Sequence, residues 1–430
     1  MADFSKLIKE KDKGAQYMID EITHICKNIP KRTPGEEGEK IACEYMADVL
    51  KKDGGCETAK VEPFSLHPQS FYGWVYITVS TALLGIILFY FMPILAAAVM
   101  ALGFFVMFME FGIYKQFIDF MFPKRTGHNV TAIKKCTGEV KARIFFNGHP
   151  DAAWVWPVNN KFGGAAYESH IVLSVGGDFL FFILSIIGTV FLAKKTGKFW
   201  FTDFSVPVYT LIYGKALFWF SIAALVFVPF IFGMYFLWNP KVTVDGANDN
   251  LTGCYMGIAI LKAMKDAGIE LEHTEVGVIL SGCEEAGLRG AKAWVKQHKD
   301  EYKDVPTWIF AYDTIAEAKF LAVNYKNMNG MIDSDKEAAE CFMESAKELG
   351  IQCNKSMVPP FGGGVDSAAF AKGGYKSVGI TALNHVLQDY YHTMKDTYTN
   401  LSKETLENCY ATSVKVLEKF DQKYGQGKNK

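Results

Sequence analysis

Seven polar residues able to bind metal or move protons sit just beyond apolar, β-rich stretches of the chain. His149 and Asp151 follow RIFFNG. Being two positions apart on an extended segment they point the same way, so the carboxylate can accept a hydrogen bond from the imidazole and fix its tautomer. Asp249 stands between two asparagines in GANDNLTG, Glu284 and Glu285 are adjacent in LSGCEEAGLRG, Asp313 closes TWIFAYD, and His392 lies in DYYHTMKDT. Singly, each has an ordinary reading: Asp249 as a helix N-cap, the acidic pair as solvated carboxylates favoured by a helix dipole. Together, His149, Asp249, Glu285, Asp313 and His392 form a set of nitrogen and oxygen donors without thiolates. Such a set suits a pair of zinc or similar divalent ions.

The elements that must position them alternate in type. RTPGEEGEKIACEYMADVLKK reads as a turn and an amphipathic helix, HNVTAIKK and KARIFFNGHPD as strands, and NDNLTGCYMGIAILKAMKDAG as a capped helix. TEVGVILSG, TWIFAYD and KSVGITALN are further buried strands, and LSKETLENCYATSVKVLEKF is a terminal helix. The alternation predicts an α/β three-layer sandwich with a mostly parallel central sheet and a site at the carboxyl ends of its strands.

Two apolar blocks interrupt this pattern. Residues 63–109 contain no Asp, Glu, Lys or Arg, too long an uncharged run for a buried core helix and enough for two spans joined at Pro93. The second block holds FLFFILSIIGTVFLA, a short candidate that needs residues before Asp178 to cross, and ALFWFSIAALVFVPFIFGMYFLWNP. About four transmembrane helices follow, as hairpins at 67–123 and 171–240, with an interfacial hairpin as the alternative for the third. The discontinuous polar domain is then 1–66, 124–170 and 241–430. With no charged group read as lying deep in any span, an ion-coupled transport function is not expected. The polar, Lys-rich start has no apolar signal-peptide core, which places the polar domain in the cytoplasm of an integral membrane protein. Lys194, Lys195 and Lys198 would then face outward, against the positive-inside tendency.

Net charge is −1 with no basic cluster, so nucleic acid is not an expected partner. Nine cysteines without CxxC spacing argue against a disulfide framework and for a reducing compartment. The sequence does not fix an oligomeric state.

In order and spacing, HPD, GANDNLTG, SGCEEAGLRG, the strand-end Asp313 and YHTMKDT resemble the M28 family of zinc aminopeptidases, as does GGGVDSAAF. The resemblance spans essentially all of the sequence outside the apolar blocks. It implies two Zn2+ ions, with Co2+ or Mn2+ as possible substitutes, bridged by Asp249. His149 and Asp313 would complete one ion and Glu285 with His392 the other. Asp151 would act behind His149, Glu284 would be the general base, Tyr391 would stabilise the oxyanion, and the peptide after Asp249 would be cis. The implied reaction is hydrolysis of N-terminal peptide bonds.

The chain departs from soluble relatives in placing an apolar block between His149 and Asp249. That suggests a catalytic face near a lipid bilayer and a peptide or amide substrate that is hydrophobic or membrane-derived, with simple anchoring as the alternative. Two other functions stay open: a dimetal amidohydrolase or carboxypeptidase acting on N-acyl amino acids, dipeptides or lipid-linked amides, and an inactive receptor or scaffold. The last predicts lost ligands, and all five are present.

Overall fold

The side-chain alternation of one strand sets the layering of the polar domain. Ala142–Gly148 sends Ile144 and Phe146 to one face of the sheet, where they join the main core. Phe145 points to the other and packs edge-on against Trp294 and Tyr302. The computed structural model describes residues 3–199, 214–359, 362–384 and 389–427.

The strands are β1 (Thr58–Leu66), β2 (Arg125–Lys134), β3 (Ala142–Gly148), β4 (Thr274–Ser281), β5 (Thr307–Ile315), β6 (Leu321–Asn327), β7 (Ile332–Asp333), β8 (Asn354–Met357) and β9 (Lys376–Ala382). They form one sheet in the order β1-β2-β4-β3-β5-β9-β6-β7, with β8 on β6. The central pairs β4–β3, β3–β5 and β5–β9 are parallel, while β1–β2, β2–β4, β6–β9 and β6–β7 are antiparallel. The expected sandwich is therefore present, but its sheet is mixed and not mostly parallel: parallel pairing holds at the centre and again between β6 and β8, with antiparallel pairs on both flanks. One face carries the helices Lys11–Asn28, Glu37–Lys52, Thr252–Asp266, Lys336–Glu348 and Lys403–Phe420, whose buried residues share the main core with β3 and β5. The other carries Arg289–Gln297 and Ser367–Lys372, where Trp294 meets Phe370 and Tyr375.

The chain divides into two compact units: residues 1–68, 123–155 and 240–430, and residues 69–122 and 156–239. Within the first unit the segment leaving it and the segment returning are paired. Val155 N–H donates to Val242 O at 2.9 Å, Val244 N–H donates to Ala153 O at 3.0 Å, and Trp154 and Thr243 form an antiparallel bridge.

Among the described residues the second unit contains four helices long and apolar enough to cross a membrane: Ser70–Phe89, Pro93–Gly112, Gly164–Thr196 and Ala216–Phe236. Thr78 Oγ1 donates to Gly103 O at 3.0 Å between the first two, and Phe104 packs edge-on against Phe179 and Phe182 of the third. Large apolar side chains point outward, with Ile87 59% and Leu102 54% exposed, the reverse of a water-facing bundle. The third helix differs from its expected form. The sequence pattern starts that block at 171 and its apolar run at Phe179, yet one helix runs unbroken from Gly164 to Thr196. Its ends are set by Gly163 and Gly197, both at positive φ, and no proline lies between them. Asp178 therefore lies inside a continuous apolar helix rather than at its border.

Candidate metal centre

β3 ends against the start of the helix Thr252–Asp266. A side chain at Gly148 would put its Cβ 2.3 Å from the Cys254 nitrogen, so only glycine lets the strand end there and deliver His149. Asp151 is fully buried. Its Oδ1 stands 3.4 Å from His149 Nδ1 and accepts the Glu284 N–H at 3.1 Å, while Oδ2 accepts the Glu285 N–H at 3.1 Å. His149 Nδ1 also lies 3.3 Å from the Asp151 main-chain oxygen, so this residue orients the imidazole through both its carbonyl and its carboxylate, and the carboxylate anchors the backbone of both adjacent acids.

The GANDNLTG segment is irregular, with a cis peptide between Asp249 and Asn250. It is held from two sides. Asn250 Nδ2 donates to Tyr312 O at 2.7 Å and its Oδ1 accepts the Gly253 N–H at 3.0 Å. Asp396 accepts from Asn248 N at 2.9 Å, Asn248 Nδ2 at 3.0 Å and Asp249 N at 3.1 Å. Arg32, 2% exposed, links this segment to the HPD loop: Nε donates to Pro150 O at 2.6 Å, and one terminal nitrogen donates to Asp245 O at 2.7 Å and Gly246 O at 2.9 Å.

Glu284 and Glu285 do not open a helix. After β4 the chain turns through Cys283 (φ 56) and Leu288 (φ 59), with the Gly287 and Leu288 N–H groups both donating to Glu284 O, and the helix starts at Arg289. Both acids are buried, at 8% and 6% exposure, so the solvated-cap reading fails. Beneath the turn lies Glu39, fully buried, which accepts from Cys283 Sγ and from the Gly35 N–H.

The donors converge. His149, Asp249 and Glu285 each bring one ligand atom within 4.8 Å of the others. Asp249 uses its two oxygens differently: Oδ1 is 3.2 Å from His149 Nε2, and Oδ2 is 3.3 Å from His392 Nε2. His392 Nε2 is also 3.4 Å from Glu285 Oε1. Two ligands of one tetrahedral zinc with bonds of about 2.0–2.1 Å stand roughly 3.3–3.4 Å apart, so these separations match ligand edges. His149 Nε2, Asp249 Oδ2 and Glu285 Oε1 are buried and make no hydrogen bond among the described residues. Buried lone pairs brought together without hydrogen bonds fit a shared cation. Asp313, near the end of β5, accepts from Thr314 Oγ1 at 2.9 Å; its charge acts on both glutamates, and the Asp249 charge acts on it.

Burial raises the Glu284 carboxyl well above its usual range, opposed by His149 and reinforced by Asp366 and Asp313. Glu285 is raised likewise by burial and then by the charge of Asp249. Burial also acts to raise Asp249, but contacts with His149 and His392 outweigh it and hold that carboxyl low. Asp313 is pushed up to about 6 by burial and the Asp249 charge. In the absence of a cation, then, one ionised carboxylate sits between two imidazoles amid acids resisting ionisation. Tyr391 stacks on His392 with ring centroids 4.2 Å apart, its phenol pushed up by burial and the neighbouring carboxylates.

All eight residues singled out in the sequence lie at or beside this cluster, Asp313 and Tyr391 through charge and stacking rather than a short donor contact. Arg32, Glu39 and Asp396 were not singled out. Asp396 stood inside YHTMKDT, and its signal was a second acid four positions after the histidine. Arg32 and Glu39 bind main-chain groups and a thiol brought in by tertiary structure, for which the sequence has no signature.

Buried carboxylates and imidazoles at the carboxyl ends of parallel strands in an α/β sandwich define a metallohydrolase-type centre. Residues 234–417 match the model of Peptidase family M28, a stretch holding Asp249, Glu284, Glu285, Asp313 and His392, and the chain is thereby a peptidase-class hydrolase. No curated protein sequence matches the chain. Among solved structures, an aminopeptidase from Aneurinibacillus sp. strain AM-1 is similar at 12% identity, covering 98% of this chain and 96% of that one, with a TM-score of 0.55. A zinc aminopeptidase from Bacillus subtilis is similar at 12% identity, covering 94% and 95%, with a TM-score of 0.53. The glutaminyl cyclase of Porphyromonas gingivalis is similar at 11% identity, covering 95% and 98%, with a TM-score of 0.52. At these identities the likeness establishes the shared fold.

Proposed function

We propose that the protein is a membrane-anchored dizinc aminopeptidase. The observation that carries this reading is Asp249, whose two carboxylate oxygens face different imidazoles, His149 and His392. A carboxylate so placed suits a bridge between two ions, with His149 and Asp313 on one side and Glu285 and His392 on the other. Divalent ions held there would supply Lewis acidity towards water and the scissile carbonyl. Glu284, with Oε2 3.8 Å from His149 Nε2 and its basicity raised by burial, is the group to take a proton from water and return it to the leaving amine. Asp151 keeps the His149 tautomer fixed and both glutamates in register. Tyr391, kept as a neutral phenol, is the donor for charge developing on the carbonyl oxygen. Four helices of spanning length make the second unit the anchor.

The test is purified full-length protein assayed for bound zinc and for release of free and N-blocked amino-acid amides. Two zinc ions per chain and preference for the free amine are expected. Glu284→Gln should keep the metal and lose at least about a hundredfold in turnover. Preference for blocked substrates would move the assignment to an amidohydrolase, and unimpaired Glu284→Gln would overturn the mechanism.

A further inference from the structure

Asp178 is the charged residue of the bundle that has no evident task, and its depth follows from contacts within the second unit. Ser174 Oγ donates to Phe230 O at 2.7 Å, and a Cβ at Gly177 would lie 2.4 Å from Phe227 Cβ, so the third and fourth apolar helices touch closely here. The two contacts keep one antiparallel register, which puts Asp178 level with Val226, the central residue of Ala216–Phe236. The second apolar helix gives a similar level, since Phe104, near the middle of Pro93–Gly112, packs on Phe179 and Phe182 in the turn that follows Asp178.

At that level the fourth helix leaves α geometry. Gly214–Ala224 gives way to a tighter 3-10 turn, Leu225–Phe227, before Val228–Gly233 resumes. Pro229 has no N–H for the Leu225 carbonyl, which instead accepts from Val228 N–H. The backbone stays right-handed helical through this turn, and each main-chain carbonyl keeps a second lone pair that can serve a cation.

Asp178 is 5% exposed, and its Oδ1 has no hydrogen-bond partner among the described residues. Among the described residues no protein cation is positioned to balance it. On its own helix the nearest lysine is Lys194, sixteen residues and about 24 Å along the axis. On the helices packed against it, Glu110 is occupied by the N–H groups of Phe117 and Ile118, Ser70–Phe89 and Ala216–Phe236 carry no charged residue, and His170 lies two turns away against Gly233. An uncompensated carboxylate in hydrocarbon is strongly disfavoured, so such a group carries a ligand or a proton.

We infer that Asp178, facing the interrupted helix at mid-depth, is an intramembrane site for a monovalent metal cation such as Na+. The carboxylate supplies the charge, and the main-chain carbonyls around Leu225–Phe227 together with the Ser174 hydroxyl supply neutral oxygens. The inference rests on the membrane reading of the four helices but is independent of the peptidase chemistry.

The test is equilibrium binding of radiolabelled Na+ to purified full-length protein in lipid nanodiscs, at fixed ionic strength set with choline chloride. Saturable binding near one ion per chain is expected, with D178N weakened by about tenfold or more and peptide hydrolysis unchanged. Should D178N not fold, carbodiimide labelling of Asp178 in the wild-type protein, read by mass spectrometry, takes its place; Na+ and Li+ should suppress it and choline should not. Binding equal in wild type and D178N, or labelling that responds to pH alone, would overturn the site and leave Asp178 a simple protonated carboxyl. Extraction of the protein without detergent would instead refute the membrane reading.

Discussion

Arg32 offers the sharpest test of how the metal centre is built, because it joins two loops one hundred residues apart in sequence, those of His149 and Asp249. Its guanidinium makes three hydrogen bonds to main-chain carbonyls, at 2.6, 2.7 and 2.9 Å, in a buried setting. Hydrogen bonds to charged groups contribute about 1.5–3 kcal/mol each, and breaking one side strands the partner. Arg32→Met should therefore cost about 4–5 kcal/mol after partial relaxation, and Arg32→Lys about 2–3, since an ammonium cannot reproduce the planar fork. Part of that cost should appear in the metal site, because the staple fixes the 3.2 Å separation of His149 Nε2 from Asp249 Oδ1. The assay is denaturant unfolding beside zinc titration, carried out where the variant remains folded. Zinc affinity should fall by tenfold or more, about 1.4 kcal/mol. Arg143, which pairs with Glu275 and Asp304 at the opposite end of the strands, is the control. Arg143→Met should lower stability and leave zinc affinity intact. Equal zinc affinity in Arg32→Met and wild type would refute the staple as a determinant of metal spacing.

Further outcomes follow from the same geometry. Asp151→Asn keeps the shape but weakens the anchoring of Glu284 and Glu285 N–H groups, and zinc affinity measured by competition with a chelator should drop about 10–100-fold. Burial pushes the Glu39 carboxyl up to about 8, so the native state holds a proton the unfolded chain releases near its ordinary value of about 4.5. Stability from this group is full below the unfolded value and declines as pH rises towards 8, at no more than about 1.4 kcal/mol per pH unit; Glu39→Gln should flatten that stretch of a denaturation series. Removing metal with a chelator should lower the melting temperature, more strongly at higher pH, because Glu284, Glu285 and Asp313 then repel one another in a buried site. Replacing residues 156–241 with a short Asn-Gly turn should leave the first unit folded, as judged by circular dichroism and zinc binding, because Ala153–Val155 and Val242–Val244 are already paired.

The sandwich was legible because buried parallel strands such as TEVGVILS and KSVGITA are near-continuous apolar runs bounded by turns. The ligands were legible because they fall where those runs stop. The turn holding Glu284 and Glu285 was read as a helix start, since nothing in GCEEAG reports the positive φ of Cys283 that delays the helix to Arg289. Arg32 and Glu39 stayed hidden for a related reason: their partners are main-chain groups and a cysteine far away in sequence. The third apolar helix was read as short because Asp178 and the polar residues before it look like a border. Packing of Ser174 and Gly177 against the fourth helix carries it further back.

Asp151 receives the N–H groups of residues 133 and 134 positions later in the chain. A ribosome delivers His149 and Asp151 long before Asp249, Glu284, Glu285 or His392 exists outside it. During synthesis the polypeptide therefore offers a cellular metal pool only scattered single donors. Cation capture becomes a late event of maturation, and a truncated or stalled chain has no assembled centre with which to cut its neighbours.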